Sequence, residues 1–243
     1  MALLACAAPR GASAGAFGNW AAIVVAGDDH AHSGATSEVF DNARRDLVKA
    51  LIAKGFSPDN VRQFSIRPER YPNDGAQKTD SLPIAKQLES LAQNARDGCL
   101  VYFTSHGSPQ GIIVGDRYWT PNIMAAVIDD ACGARPAVVI IAACFSGVFV
   151  PLLADPNRMI LTAARPDRAS FGCGETDRYT YFDACVLQEI GGAHDFGVLG
   201  RLVQACVARH EQEMHAEPPS EPQLDIGAAL RPMLPLYAFS ASP

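Results

Sequence analysis

Three apolar runs constrain this chain more than any other feature. Trp20 to Gly27 reads WAAIVVAG, Leu100 to Gly107 reads LVYFTSHG, and Val138 to Gly147 reads VVIIAACFSG. Each is a strand-length apolar stretch that runs into a glycine-bearing turn. Such runs, with no polar alternation, read as strands buried on both faces. Strands of that kind occur in parallel sheets covered by helices on both sides.

The intervening segments supply the helices. From about Ser37 to Lys54, Val39, Ala43, Leu47, Ala50 and Leu51 keep helical spacing, Gly55 ends the helix and Pro58 prevents its resumption. Val61 to Ile66 is a second strand, and residues 67–80 form a long polar loop without periodicity. The next helix carries Ile84, Leu88, Leu91, Ala92 and Ala95 on one face and stops at Gly98. Residues 111–120 predict a small hairpin around Gly115-Asp116. Thr120-Pro121 is a cap followed by proline at the first helical position, and opens a helix to about Cys132. Residues 158–164 are a further strand, and helices are predicted at about 178–190 and 196–212. The proline-rich tail from Pro218 is expected to be extended, with a short edge strand at Leu234 to Phe239. Alternating strand and helix predict an α/β fold: an α/β/α sandwich with a mostly parallel sheet, in one domain over 19–243. Its crossovers are expected to be right-handed.

The formal charge of −6 argues against nucleic acid or anionic membrane as a partner, since both ask for basic patches. No stretch approaches the ~20 apolar residues of a transmembrane helix. The start, Met1 to Ala8 (MALLACAA), has two readings: a disordered leader, or the remnant of a bacterial lipoprotein signal. Leu3-Leu4-Ala5-Cys6 resembles a lipobox, in which case Cys6 would be lipidated and anchor a periplasmic protein to a membrane; otherwise the protein is cytoplasmic. Residues 9–18 read as a flexible linker. The seven cysteines show no CxxC and no Cys/His cluster suited to zinc, so no metal or other cofactor is expected. Setting aside Cys144 and Cys6 leaves five, which permits disulfides and leaves at least one cysteine unpaired.

Two of the buried strands end in chemistry. His106 follows one and Cys144 follows another, and open α/β sheets keep their ligand crevice at the carboxyl ends of the strands. A thiol becomes a good nucleophile when ionised, and a neighbouring imidazole stabilises the thiolate and can protonate a leaving amine. The attacked carbonyl oxygen needs preorganised donors, here the amides of Gly107 and Cys144. The pair therefore points to a cysteine nucleophile with a histidine base. Asp28, Asp29, His30 and His32 follow the first strand, where a metal site, a substrate loop and a solvated turn are all open readings. His194, His210 and His215 read as surface residues, and Arg165 and Arg168 as cleft walls or exposed side chains.

The blocks Val101-Tyr102-Phe103-Thr104-Ser105-His106-Gly107-Ser108 and Ala143-Cys144-Phe145-Ser146-Gly147 resemble the histidine and cysteine motifs of the legumain (asparaginyl endopeptidase) family, within the caspase–gingipain group. Trp20 to Gly27, Phe56 to Val61 and Leu161 to Cys173 extend the resemblance over about residues 19–190. It implies a caspase-like fold and a peptidase that cleaves peptide or protein substrates through a thioester acyl-enzyme. His106 and Cys144 would be the dyad, Gly107 and Cys144 the oxyanion hole. Asp28, Ala142, Ser146 and Asp183 would stand at the substrate positions. Ala142 replaces the family's glutamate before Ala-Cys, Phe145 replaces an acidic residue, and Ser105 replaces an aspartate. The family's arginine-histidine pair has no clear match in residues 28–41. The expected preference before the scissile bond is therefore left between Asn/Asp and a basic residue. Two alternatives stand beside hydrolysis: transpeptidation on the same fold, and a non-catalytic caspase-like binding module.

Overall fold

The computed structural model describes residues 15–240. Cys6 and the rest of the lipobox-like start lie outside the described residues. The core is a seven-stranded sheet in the order β10-β9-β8-β4-β1-β2-β3. Its members are β1 (Trp20–Ala26), β2 (Val61–Ser65), β3 (Gln77–Lys78), β4 (Gly98–Thr104), β8 (Ala137–Ala142), β9 (Arg158–Thr162) and β10 (Gln223–Ile226). All neighbours pair parallel except β10 with β9. A three-stranded antiparallel sheet, β5 (Gly107–Ser108), β6 (Gly111–Val114) and β7 (Arg117–Trp119), follows β4.

Alternation along the buried strands sorts their side chains to two cores. Trp20, Ala22 and Val24 of β1 join one cluster with α1 (Val39–Ala53), α5 (Tyr181–Glu189) and α6 (Phe196–Glu213). Ala21, Ile23 and Val25 join another with α2 (Ser81–Asn94), α3 (Pro121–Cys132) and Leu153 of the short α4 (Val150–Leu153). Asp80, Thr120, Thr180 and Asp195 cap helix starts through their side-chain oxygens. The predicted strands and helices recur within a few residues of their expected bounds.

Three expectations change. The edge strand of the tail is not at Leu234 to Phe239, where Leu234–Leu236 forms a 3₁₀ turn around Pro235. The edge strand is Gln223–Ile226, paired with Thr162 to Met159. Proline has no N–H to give a ladder, which disfavours the first site. The loop 67–80 contributes two residues to the sheet, since Phe64 registers with Gln77. The linker reading of residues 9–18 does not reach Phe17, which is fully buried. Its ring stacks on Phe56 at 4.7 Å and meets the edge or face of Trp20, Phe196 and Phe239.

Two disulfides, Cys99–Cys132 and Cys185–Cys206, leave Cys144 and Cys173 free among the described residues. Cys173 is thus the unpaired cysteine that the odd count required. Among the described residues, no helix is long and apolar enough to cross a membrane.

Candidate active site

The chain reverses its winding between β1 and β4. From β1 it steps to β2 on one side, and from β4 it continues to β8 and β9 on the other. The loops that leave the carboxyl ends of two such strands part and form a crevice. His106 stands just beyond β4 and Cys144 just beyond β8, and these strands are neighbours with Thr104 in register with Ala142. The Ser105 N–H donates to the Ala142 carbonyl at 3.1 Å, which carries the ladder one step past the strand ends. Imidazole and thiol therefore leave adjacent strands at the same level, and both residues are half-buried.

The turn after Cys144 is held tightly. Phe145 adopts φ 58, a left-handed conformation that costs a non-glycine residue about 1–2 kcal/mol. Its N–H donates to the Arg168 carbonyl at 2.7 Å, and its carbonyl accepts from the Val148 N–H at 3.0 Å. The sharp turn leaves the sulfur at the lip of the cleft. There the Ser170 N–H donates to Sγ at 3.3 Å, and the carbonyl and hydroxyl oxygens of Ser170 lie 3.5 and 3.6 Å away.

His106 is fixed by a main-chain oxygen. Its Nε2 lies 3.0 Å from the His30 carbonyl, and the Phe40 ring meets the imidazole edge-on at 5.1 Å. A carbonyl only accepts, so Nε2 carries the proton of the neutral ring and Nδ1 is left with a free lone pair, an assignment made from this hydrogen bond. The His30 carbonyl is itself held in place. The Asp28 carboxylate accepts from the N–H groups of Asp29 and His30 and from His30 Nδ1. That bond to Asp28 also raises the pKa of His30 above the ordinary histidine value. Asp29 pairs with Arg67 at 2.7 Å.

Gly107 is a glycine for a steric reason. A Cβ there would sit 2.3 Å from the Cys144 carbonyl oxygen, so the glycine admits the main chain of Cys144. The Ile113 N–H donates to the His106 carbonyl at 3.0 Å. That bond makes Gly107 and Ile112 a non-hydrogen-bonded pair of the antiparallel ladder, which leaves the Gly107 N–H outside it.

The other expected contacts are placed less openly. Ala142 is buried within the sheet. Ser146 is fully buried and its Oγ accepts from the Ala164 N–H at 3.2 Å, so it braces the turn against the end of β9 and faces no substrate. Asp183 is fully buried beneath the crevice. Its carboxylate accepts from the hydroxyls of Tyr102 (2.7 Å), Thr104 (2.6 Å) and Thr180 (2.9 Å). Burial outweighs these donors and pushes its pKa up to about 6. Ser105, at the family's aspartate position, gives its hydroxyl to the Ile113 carbonyl and leaves the imidazole without a carboxylate there. Arg165 pairs with Asp167 and Glu221, away from the sulfur. His194 is exposed, whereas His210 is half-buried against the Tyr181 ring at 4.2 Å.

A cavity of about 410 Å³ opens beside the His30 loop, lined among others by Asp28, Asp29, His30, Thr79, Asp80 and Asp116. Ligand atoms of Asp28, Asp29 and His30 lie within 4.8 Å of one another, a spacing that fits a cation. Each already has a protein partner, so the loop closes on its own charges. Phe40 and Ser170 are not among the expected site residues, and His30, expected only as part of the loop after the first strand, enters through its carbonyl. Two of them act through main-chain atoms, which carry no side-chain signal, and Phe40 lies one position off the apolar stripe of α1.

No curated protein sequence matches this chain. Among solved structures, caspase-1 from Spodoptera frugiperda is similar at a TM-score of 0.62 and 18% identity, covering 90% of this chain and 92% of that one. The structure titled pro-sf-caspase-1 gives a TM-score of 0.58 at 18% identity, covering 85% and 90%. At that identity the likeness is one of fold. Residues 23–190 match the model of the Peptidase C13 family. The chain thus belongs to the Peptidase C13, or legumain, family of cysteine peptidases and is built on a caspase-like fold.

Proposed function

We propose that the protein is a cysteine endopeptidase whose nucleophile is Cys144 and whose base is His106. The observation that carries this reading is their placement on adjacent parallel strands at one rim, with Gly107 packed against the Cys144 carbonyl. His106 Nδ1 takes the thiol proton, and Sγ attacks the scissile carbonyl. The amides of Gly107 and Cys144 receive the oxyanion. The protonated imidazole then passes its proton to the leaving amine, and a thioester acyl-enzyme remains. Water, activated by the same imidazole, hydrolyses it. The His30 carbonyl holds the ring through both transfers, in the orienting role of a third group.

The acidic wall formed by Asp28, Asp29, Asp80 and Asp116 supports a substrate side chain rich in donors, either amide or cationic. The two disulfides support a compartment in which disulfides persist, outside the cytoplasm. Cleavage of a peptide library, with labelling by a thiol-directed peptidyl probe, tests the assignment. Cys144→Ala is expected to abolish both, and cleavage retained in that variant would overturn it.

A further inference from the structure

Among the described residues four cysteines are paired in disulfides, and the two that are free meet at the same cleft. Cys144 ends on the loop after β8, and its sulfur is held by Ser170. Cys173 lies three residues beyond Ser170 on the facing loop, and its side chain packs with Phe40, whose ring edges onto His106. Both thiols are half-buried, within reach of small solutes.

We propose that Cys144 and Cys173 form a reversible disulfide that caps the nucleophile when a peroxide enters the cleft. The inference rests on the nucleophile reading only in that Cys144 is oxidised first. Its thiolate attacks a peroxide oxygen: an S–O bond forms, the O–O bond breaks, and hydroxide leaves. Sulfur gives up two electrons and becomes a sulfenic acid. Cys173 loses its proton to that hydroxide and attacks the sulfenyl sulfur. The S–S bond forms, the S–O bond breaks, and hydroxide leaves. A dithiol reverses the link by exchange.

Three features support this order. Burial first, and then the nearby charges of Cys144 and Asp177, push the Cys173 thiol up to about 11, so it stays protonated and is not the thiol that meets the peroxide first. Conversion of Cys144 to a neutral sulfenic acid removes its part of that opposition. Closure requires the two Cα atoms to come within ~7 Å, an adjustment that falls to the loop carrying Cys173. Residues 163–180 contain no helix or strand, and glycines 172 and 174 flank Cys173 on either side.

The test treats the reduced-thiol protein, its structural disulfides intact, with hydrogen peroxide and maps cysteine peptides without reduction. The wild type is expected to give a Cys144–Cys173 linked peptide two hydrogens lighter than the separate thiols. Dithiothreitol should then restore roughly nine tenths or more of the iodoacetamide labelling at Cys144. Cys173→Ser is expected to carry Cys144 on to the sulfinic acid, two oxygens heavier, with little labelling recovered. Cys173→Ala serves as a second variant, and melting curves verify that both are folded. Sulfinic acid formed at equal rates in wild type and variant, with no linked peptide, would overturn the proposal. A link through Cys6 in place of either residue would do the same, and Cys6→Ser identifies it. The mapping requires no peptide turnover, so an inactive protein that still forms the link separates this inference from the peptidase reading.

Discussion

Asp183 offers the most quantitative test of the structure. It is fully buried, and its carboxyl titrates near 6 against an ordinary value of 3.8. A raised carboxyl pKa means that the folded state binds its proton more tightly than the unfolded chain does. Stability from this group is therefore full at low pH and declines as pH rises from about 4 through about 6. A difference of about 2 pH units corresponds to about 3 kcal/mol at 1.36 kcal/mol per unit. Asp183→Asn is neutral at every pH and carries no such slope. It also gives up acceptor capacity toward Tyr102, Thr104 and Thr180, and that cost does not depend on pH. The useful quantity is thus the change in the variant-minus-wild-type difference. Urea unfolding at pH 4 and pH 8 should show the variant gaining about 2 kcal/mol on the wild type across that interval, the remainder falling below pH 4. A difference that is flat with pH, or that falls, would refute burial as the dominant influence on this carboxyl.

Two further substitutions probe the supports of the site. Gly107→Ala places a methyl group 2.3 Å from the Cys144 carbonyl oxygen, so the nucleophile's main chain must shift. A misplacement of that order is expected to lower kcat/KM about 100-fold and to lower Tm as well, as peptide-cleavage kinetics and a melting curve would show. Arg44 is fully buried, bonded to Asp41 at 2.7 Å, to Asp74 at 3.2 Å and to Gln63. Arg44→Met leaves the buried Asp41 with only Ser65 to hold its charge, at about 3–5 kcal/mol. Burial already raises the Asp41 carboxyl, and losing Arg44 raises it further, so the deficit in urea melts should be larger at pH 8 than at pH 5.

The strands bearing His106 and Cys144 were legible because burial on both faces writes continuous apolar runs into the sequence. β10 was misplaced for the opposite reason. Gln223–Ile226 is a half-buried edge strand of four residues, and its alternation is no stronger than that of many loops. The short apolar stretch around Pro235 looked more strand-like than it is. Within the site, His106 and Cys144 could be picked out by their side chains, whereas the His30 carbonyl and the Ser170 amide could not. Asp183 was expected at a substrate position but is fully buried, because its three hydroxyl partners come from β4 and from the cap of α5, which only the folded chain brings together. The cysteine count allowed two bridges without saying which residues form them, because pairing depends on distance.

Those two bridges divide the labour of holding the molecule. Cys99–Cys132 fastens the strand that leads to His106 to a helix on one side of the sheet, and Cys185–Cys206 fastens the helix that carries Asp183 to its neighbour on the other. The sheet is thus clipped once on each side, like a plate held between two brackets. Neither clip touches the segment that carries Ser170 and Cys173. That strip of chain is fastened by hydrogen bonds instead, the Ser170 N–H to the Cys144 sulfur and the His32 N–H to the Cys173 carbonyl among them, while covalent links hold the layers behind the imidazole and the sulfur.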